Sequence, residues 1–133
     1  MERIARRLGL GARAAILAAL MPLVGCGDGP PSVSGSTSEA TVHGTVKYKG
    51  QPVSDGTIAF DPTNINRKGA PIASAPIGKD GTYTIKTLVG PNSVSVQLPT
   101  QAKSDPGIAM YAVGYEVPSG DSTLDVDPTT KAP

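Results

Sequence analysis

The chain has 133 residues, with twelve Lys plus Arg against eleven Asp plus Glu, one Cys, one His and no Trp. A single cysteine excludes an internal disulfide framework, and the length leaves room for one modest core once any targeting segment is set aside. The nearly balanced charge lacks the basic stripe that a nucleic-acid binder needs.

The first 25 residues place Arg3, Arg6, Arg7 and Arg13 ahead of an uncharged stretch from Ala14 to Val24. Basic then apolar is the plan of an export signal. The stretch is too short to span a bilayer as a helix, which takes about 20 apolar residues, and Pro22 breaks a continuing helix. It closes on Leu23-Val24-Gly25-Cys26. These four residues resemble the lipobox of bacterial lipoproteins position for position. The resemblance implies cleavage before Cys26, lipidation of its thiol with a diacylglyceryl group and palmitate-type chains, and permanent membrane anchoring, since two or more chains hold where one does not. Removing residues 1–25 takes away four Arg and one Glu, leaving eight basic and ten acidic side chains, a net of −2.

From Cys26 to Glu39 the chain is rich in Gly, Ser and Pro and reads as a flexible linker. Residues 40–127 then carry seven runs that alternate with period two. Val42, Gly44, Val46 and Tyr48 share a face in the first; Ile58 and Phe60 in the second; Ala73, Ala75 and Ile77 in the third. Tyr83 and Ile85 follow, then Val94, Val96 and Leu98, then Tyr111, Val113, Tyr115 and Val117, and finally Leu124 and Val126. Seven such runs bounded by Gly, Pro, Asp and Asn predict a single all-β sandwich. Lys49-Gly50-Gln51-Pro52 is expected to join the first two runs, and Lys79-Asp80-Gly81 to close a hairpin between the third and fourth. Helix is expected to be minimal, and residues 128–133 to form a disordered tail.

His43-Gly44-Thr45-Val46, Gly50-Gln51-Pro52-Val53 and Gly56-Thr57-Ile58-Ala59-Phe60 resemble the opening of carboxypeptidase regulatory-like domains. Gly78-Lys79-Asp80-Gly81-Thr82-Tyr83-Thr84-Ile85 resembles their Asp-Gly hairpin, and Ser93-Val94-Ser95-Val96 the strand after it. The resemblance spans residues 41–127 and implies a seven-stranded transthyretin-like (prealbumin-type) sandwich with a C-terminal strand pair at Tyr115–Pro118 and Leu124–Val126. Its motifs are turns and core positions, so they speak to architecture and hardly to chemistry. Gly90-Pro91-Asn92-Ser93 departs from the usual Gly-x-Tyr, which leaves the pairing around residues 88–93 open.

No catalytic set is visible. His43 is the sole histidine, whereas a catalytic zinc usually takes three protein ligands and a nucleophilic serine needs a base. The purine-catabolic hydrolase of the transthyretin-like group needs several histidines. Asp125 and Asp127 fall on one face of the last run, but calcium takes six or more oxygens, and turn solvation is the default reading. Lys47 lacks an Asn on the final run for an isopeptide bond, and no Trp offers a sugar-stacking platform. The loops at 61–69, with Arg67-Lys68, and at 100–108 are the longest irregular stretches.

The expectation is therefore a non-enzymatic, lipid-anchored cell-envelope protein without a cofactor, Cys26 its one assigned residue, outer membrane favoured over inner. Its sandwich would serve as an interaction or structural module for an unknown envelope protein; the alternative is a polysaccharide-binding lipoprotein.

Overall fold

The computed structural model describes residues 34–130; Cys26 and its lipobox lie outside them. Within this range the sequence forms nine strands: β1 (Glu39–Thr45), β2 (Lys47–Tyr48), β3 (Gln51–Pro52), β4 (Thr57–Asp61), β5 (Ala73–Pro76), β6 (Thr82–Leu88), β7 (Gly90–Gln97), β8 (Ala112–Val117) and β9 (Asp121–Thr123). One sheet has the order β6-β1-β9, a second β5-β4-β7-β8, and β2 pairs with β3 as a small hairpin. Between β7 and β8 lie a four-residue helix, α1 (Pro99–Ala102), and a 3-10 helix, Pro106–Met110. Helix is thus confined to the loop read as irregular.

The all-β sandwich expected from the alternation is what forms. Inward positions of β1 (Ala40, Val42) and β6 (Tyr83, Ile85) meet those of β4 (Ile58, Phe60) and β7 (Val94, Val96) in one buried cluster. Phe60 and Tyr83 bridge the two sheets with ring centroids 6.2 Å apart, tilted by 42°. Each fully buried large apolar side chain contributes roughly 1.5–3 kcal/mol. Ile58, Phe60, Val42, Val46 and Val94, all with no exposed surface, form the centre of that contribution.

The connections differ from the expectation in three places. The Asp80-Gly81 turn closes no hairpin, because β5 and β6 belong to different sheets. It is a corner, held by Gly78 N–H to Thr82 O (2.8 Å) and Gly81 N–H to Gly78 O (2.9 Å). Lys49-Gly50 does not join the first run to the second either. With φ of 50° and 79° it makes the two-residue reversal of β2–β3, pairing Lys47 with Pro52 and Tyr48 with Gln51.

The third difference is at the C-terminus, where β8 and β9 are not a strand pair. β8 extends the four-stranded sheet alongside β7, while β9 crosses to the other sheet and lies parallel to β1. The last strand also falls earlier, at Asp121–Thr123, with only Val126 continuing the pairing as a bridge to Val46. Gly44 explains the interruption. A Cβ there would sit 2.0 Å from the Leu124 carbonyl oxygen, so β1 admits the close approach of the Leu124-Asp125 backbone only where it carries no side chain.

The polar ends are ordered further than expected. Residues 128–130 are a turn, not a loose tail: Asp127 accepts Thr129 N–H (2.9 Å) and Gly50 N–H (2.8 Å), and Thr129 Oγ1 accepts Lys49 N–H (3.1 Å). The last residues of the expected linker, Ser34–Ser38, form a strap bonded to the domain.

Candidate functional site

Three places gather the polar residues singled out in the sequence. The first is the strap. Ser34 offers its carbonyl to two donors, Arg67 Nε at 2.9 Å and Asn64 Nδ2 at 3.0 Å. Further along, Ser38 O accepts Val89 N–H at 2.9 Å. The donors come from the 62–72 loop, which successive local bonds shape: Asp61 caps Thr63 N–H (2.8 Å), Asn64 Oδ1 caps Asn66 N–H (2.8 Å), and Ala70 N–H reaches Arg67 O (3.2 Å). These are the Asx-type turns that Asp and Asn favour. They drive Arg67 inward until only 6% of it is exposed.

Arg67 is the functional residue to which sequence reasoning gave no role: within the irregular loop it is a buried clamp. Its Nη1 and Nη2 are sealed from solvent, with no hydrogen-bond acceptor among the described residues. A Cβ at Gly90 would stand 2.7 Å from both Arg67 Nη2 and Ser34 Cβ, so the strap, the guanidinium and the start of β7 close on one another with no spare volume. The adjacent turn is fixed by Asn92. Its Nδ2 donates to Leu88 O (2.9 Å) and Gly90 O (3.0 Å), and its Oδ1 accepts Thr87 Oγ1 (2.8 Å). The departure at Gly90-Pro91-Asn92 is therefore an amide-tied corner between the two sheets.

The second place surrounds His43, which is exposed and bonded to Thr123 Oγ1 at 3.0 Å. Beside it Asp125 Oδ1 accepts Thr45 N–H (2.8 Å) and the Tyr83 hydroxyl donates to Leu124 O (2.7 Å). Burial pushes the Tyr83 phenol far above its ordinary value, with Tyr115 and Asp125 adding in the same direction. It stays a donor throughout the physiological range and holds the Leu124 carbonyl. An open depression of about 530 Å³ lies here, floored by threonines of β1 and β6. Asp125 and Tyr83 are engaged with backbone and His43 with the Thr123 hydroxyl, which is a structural use.

The third is a depression of about 550 Å³ beside Asp55, Leu98 and α1. Asp55 Oδ2 accepts Thr100 Oγ1 at 2.8 Å. Among the described residues, Asp55 Oδ1 and Gln101 Oε1 have no hydrogen-bond partner and lie beneath the surface.

Asp125 and Asp127, weighed for calcium, are spent separately on backbone N–H groups of β1 and of the β2–β3 hairpin. Among the described residues no cluster of three or more His, Cys, Asp or Glu is placed to hold a metal ion. None of their helices is long and apolar enough to cross a membrane.

No protein-family model matches this sequence, and no curated protein matches it. Solved structures are similar in fold. A DUF3823 family protein from Parabacteroides merdae aligns with a TM-score of 0.51 at 15% identity, over 69% of this chain and 46% of its own. Another from Bacteroides ovatus aligns at 0.46 and 15%, over 68% and 43%. The Bacillus anthracis TIE protein gives 0.46 and 10%, over 67% and 16%. This chain thus spans less than half the length of each. At such identity the likeness is one of fold: an all-β domain related in architecture to that of the DUF3823 proteins.

Proposed function

We propose that this chain is a lipid-anchored, non-enzymatic cell-envelope protein. Cys26 carries the acyl chains, and a transthyretin-like sandwich of the carboxypeptidase regulatory-like kind serves as its interaction or structural module. The observation that carries the reading is the clamp on Ser34. A domain that devotes a buried arginine and an asparagine to the carbonyl of its own entering segment is built to have its N-terminal connection fixed. The Leu23-Val24-Gly25-Cys26 motif supplies what that connection is tied to.

The clamp also sets the tether's reach. A linker running from Cys26 to Ala40 would extend roughly 45 Å, whereas one ending at Ser34 extends about 27 Å at most. The domain is held near the bilayer with a defined end toward it. Outer-membrane residence fits Gly27, which stands where a retention signal would place Asp.

Mass spectrometry of the mature N-terminus tests the anchor. The expected species begins at Cys26 and carries diacylglycerol, and Cys26→Ser moves the protein from the membrane to the soluble fraction. A free Cys26 thiol in the exported protein overturns the reading. Crosslinking in the intact envelope then identifies the module's partner.

A further inference from the structure

The 62–72 loop does something at odds with its polar composition: it buries its arginine and exposes its isoleucines. Ile65 is 72% exposed and Ile72 60% exposed; among the described residues the other large apolar side chain left so open is Met110. Met110 belongs to the opposite end of the sandwich, because β7 runs from Gly90 beside the clamp to Gln97 beside α1 and the 3-10 helix. Both isoleucines flank the point where the strap is gripped. Asn66 and Pro71, the neighbours of Ile65 and Ile72, line one hollow with Gly35 of the strap, and Ile72 borders a second hollow shared with Glu39, the first residue of β1.

We infer that Ile65 and Ile72 form a membrane-resting face that inserts into the interfacial region of the bilayer carrying the protein's own anchor. The inference rests on the lipid-anchor reading above. The occupant follows from where the chain goes. Ser34 is eight residues from Cys26, so the clamp holds this end within about 27 Å of the anchored thiol. Side chains presented there meet lipid at high effective concentration, and small apolar contacts suffice once a tether has met the cost of association. Isolated exposed isoleucines are ordinary on a protein surface. Two of them around the fixed exit of a tether are placed for a bilayer. The contact is apolar in origin, since Arg67, Lys68 and Lys86 at this end are offset by Glu39, Asp61 and Glu116, and high salt leaves it in place.

The test uses the full exported chain, purified in detergent and reconstituted into phosphatidylcholine vesicles with brominated or ordinary acyl chains. With the Cys26 thiol consumed by lipid, an environment-sensitive dye is attached at Lys68→Cys or, at the far end, at Lys103→Cys. Both positions are exposed, so folding is preserved, and urea midpoints matching the parent protein verify it. The expected result is at least about twofold stronger quenching by brominated lipid at 68 than at 103, retained in high salt, as for apolar groups seated in the interface. Adding Ile65→Asn and Ile72→Asn to the Lys68→Cys protein removes that difference. Equal quenching at 68 and 103 in protein whose mass shows an acylated Cys26 overturns the membrane-resting face and leaves the anchor standing. Quenching at 68 that survives both Asn substitutions also overturns it. A mass showing unacylated Cys26, with the dye entering at position 26, overturns the anchor and this face with it.

Discussion

The two ends of the sandwich are stabilised by different chemistry. At the end where the strap enters, the strap and the β6–β7 corner are gripped by neutral amides and one guanidinium: Asn92 across the corner, and Asn64 and Arg67 on Ser34. At the other end carboxylates do it. Asp80 caps Thr82 (N–H at 3.2 Å, Oγ1 at 2.7 Å), Asp127 ties the C-terminal turn to the β2–β3 hairpin, and Asp55 holds Thr100. In the second set, hydrogen bonds from Thr82 hold the Asp80 carboxyl below its ordinary range, and, against the opposing effect of burial, those from Thr129, Gly50 and Lys49 do the same for Asp127. The Asn92 and Asn64 bonds contain no ionisable group, while those of Asp80 and Asp127 weaken in acid.

Substitutions separate the two regimes. The largest effect is expected between the ends, at Gly44→Ala, whose Cβ meets the Leu124 backbone. It should cost about 3 kcal/mol or more in urea unfolding and uncouple β9 from β1, seen as lost amide protection at Leu124 and Val126. Asn92→Ala comes next. It strips partners from two carbonyls and the Thr87 hydroxyl in a buried corner and should cost roughly 2–3 kcal/mol. Because no ionisable group is involved, the loss should be the same at pH 3 and pH 7. A loss that shrank in acid would break the contrast between the ends.

Arg67→Met is the subtler probe of the strap end. It removes the bond to Ser34 but also two buried N–H groups without acceptors, and the terms oppose each other. The midpoint should move by less than about 1 kcal/mol, while exchange at Val89 N–H, bonded to the strap, should accelerate by roughly tenfold. The smallest effect is expected from Asp127→Asn at the carboxylate end. Burial raises the Asp127 carboxyl, but hydrogen bonds from Thr129, Gly50 and Lys49 outweigh it and hold the group below its ordinary range. A depressed carboxyl stabilises above its unfolded value, near 4, and loses that contribution as pH falls through the folded value. Asp127→Asn should therefore cost less than about 1 kcal/mol at pH 7, given solvent screening, and nothing measurable at pH 2. Parallel urea titrations at the two pH values check the sign.

The strands were legible because alternation is the direct imprint of a sheet with one wet face: Val94 and Val96 bury while Ser93 and Gln97 do not. Their partners were less so. Asp80-Gly81 reports a chain reversal, and a reversal at an inter-sheet corner looks the same in sequence as one in a hairpin. The last strand was misplaced because Leu124 and Val126 carry the apolar signal, whereas the ladder uses Asp121–Thr123, where Ser122 replaces a large side chain. Nothing in Arg67-Lys68 marks one cation as buried. The signal available was the run of turn formers around it, Asp61, Asn64 and Asn66, which folds the loop back on itself. Likewise the anomalous Gly90-Pro91-Asn92 marked a corner without revealing that an amide side chain would tie it.

The parallel pairing of β1 with β9 joins residues 80 positions apart, Thr41 with Asp121 and His43 with Thr123. Until the last strand is available, β1 has β6 on one side and bare hydrogen-bonding groups on the other, and Val46 lacks its Val126 bridge. A chain emerging N-terminus first therefore cannot finish its core before nearly all of it has appeared. Such long-range closure is slow, on the order of milliseconds to seconds. On the export route proposed above, late closure would be an advantage: the fold would complete on the far side of the membrane, after the leading end had been delivered.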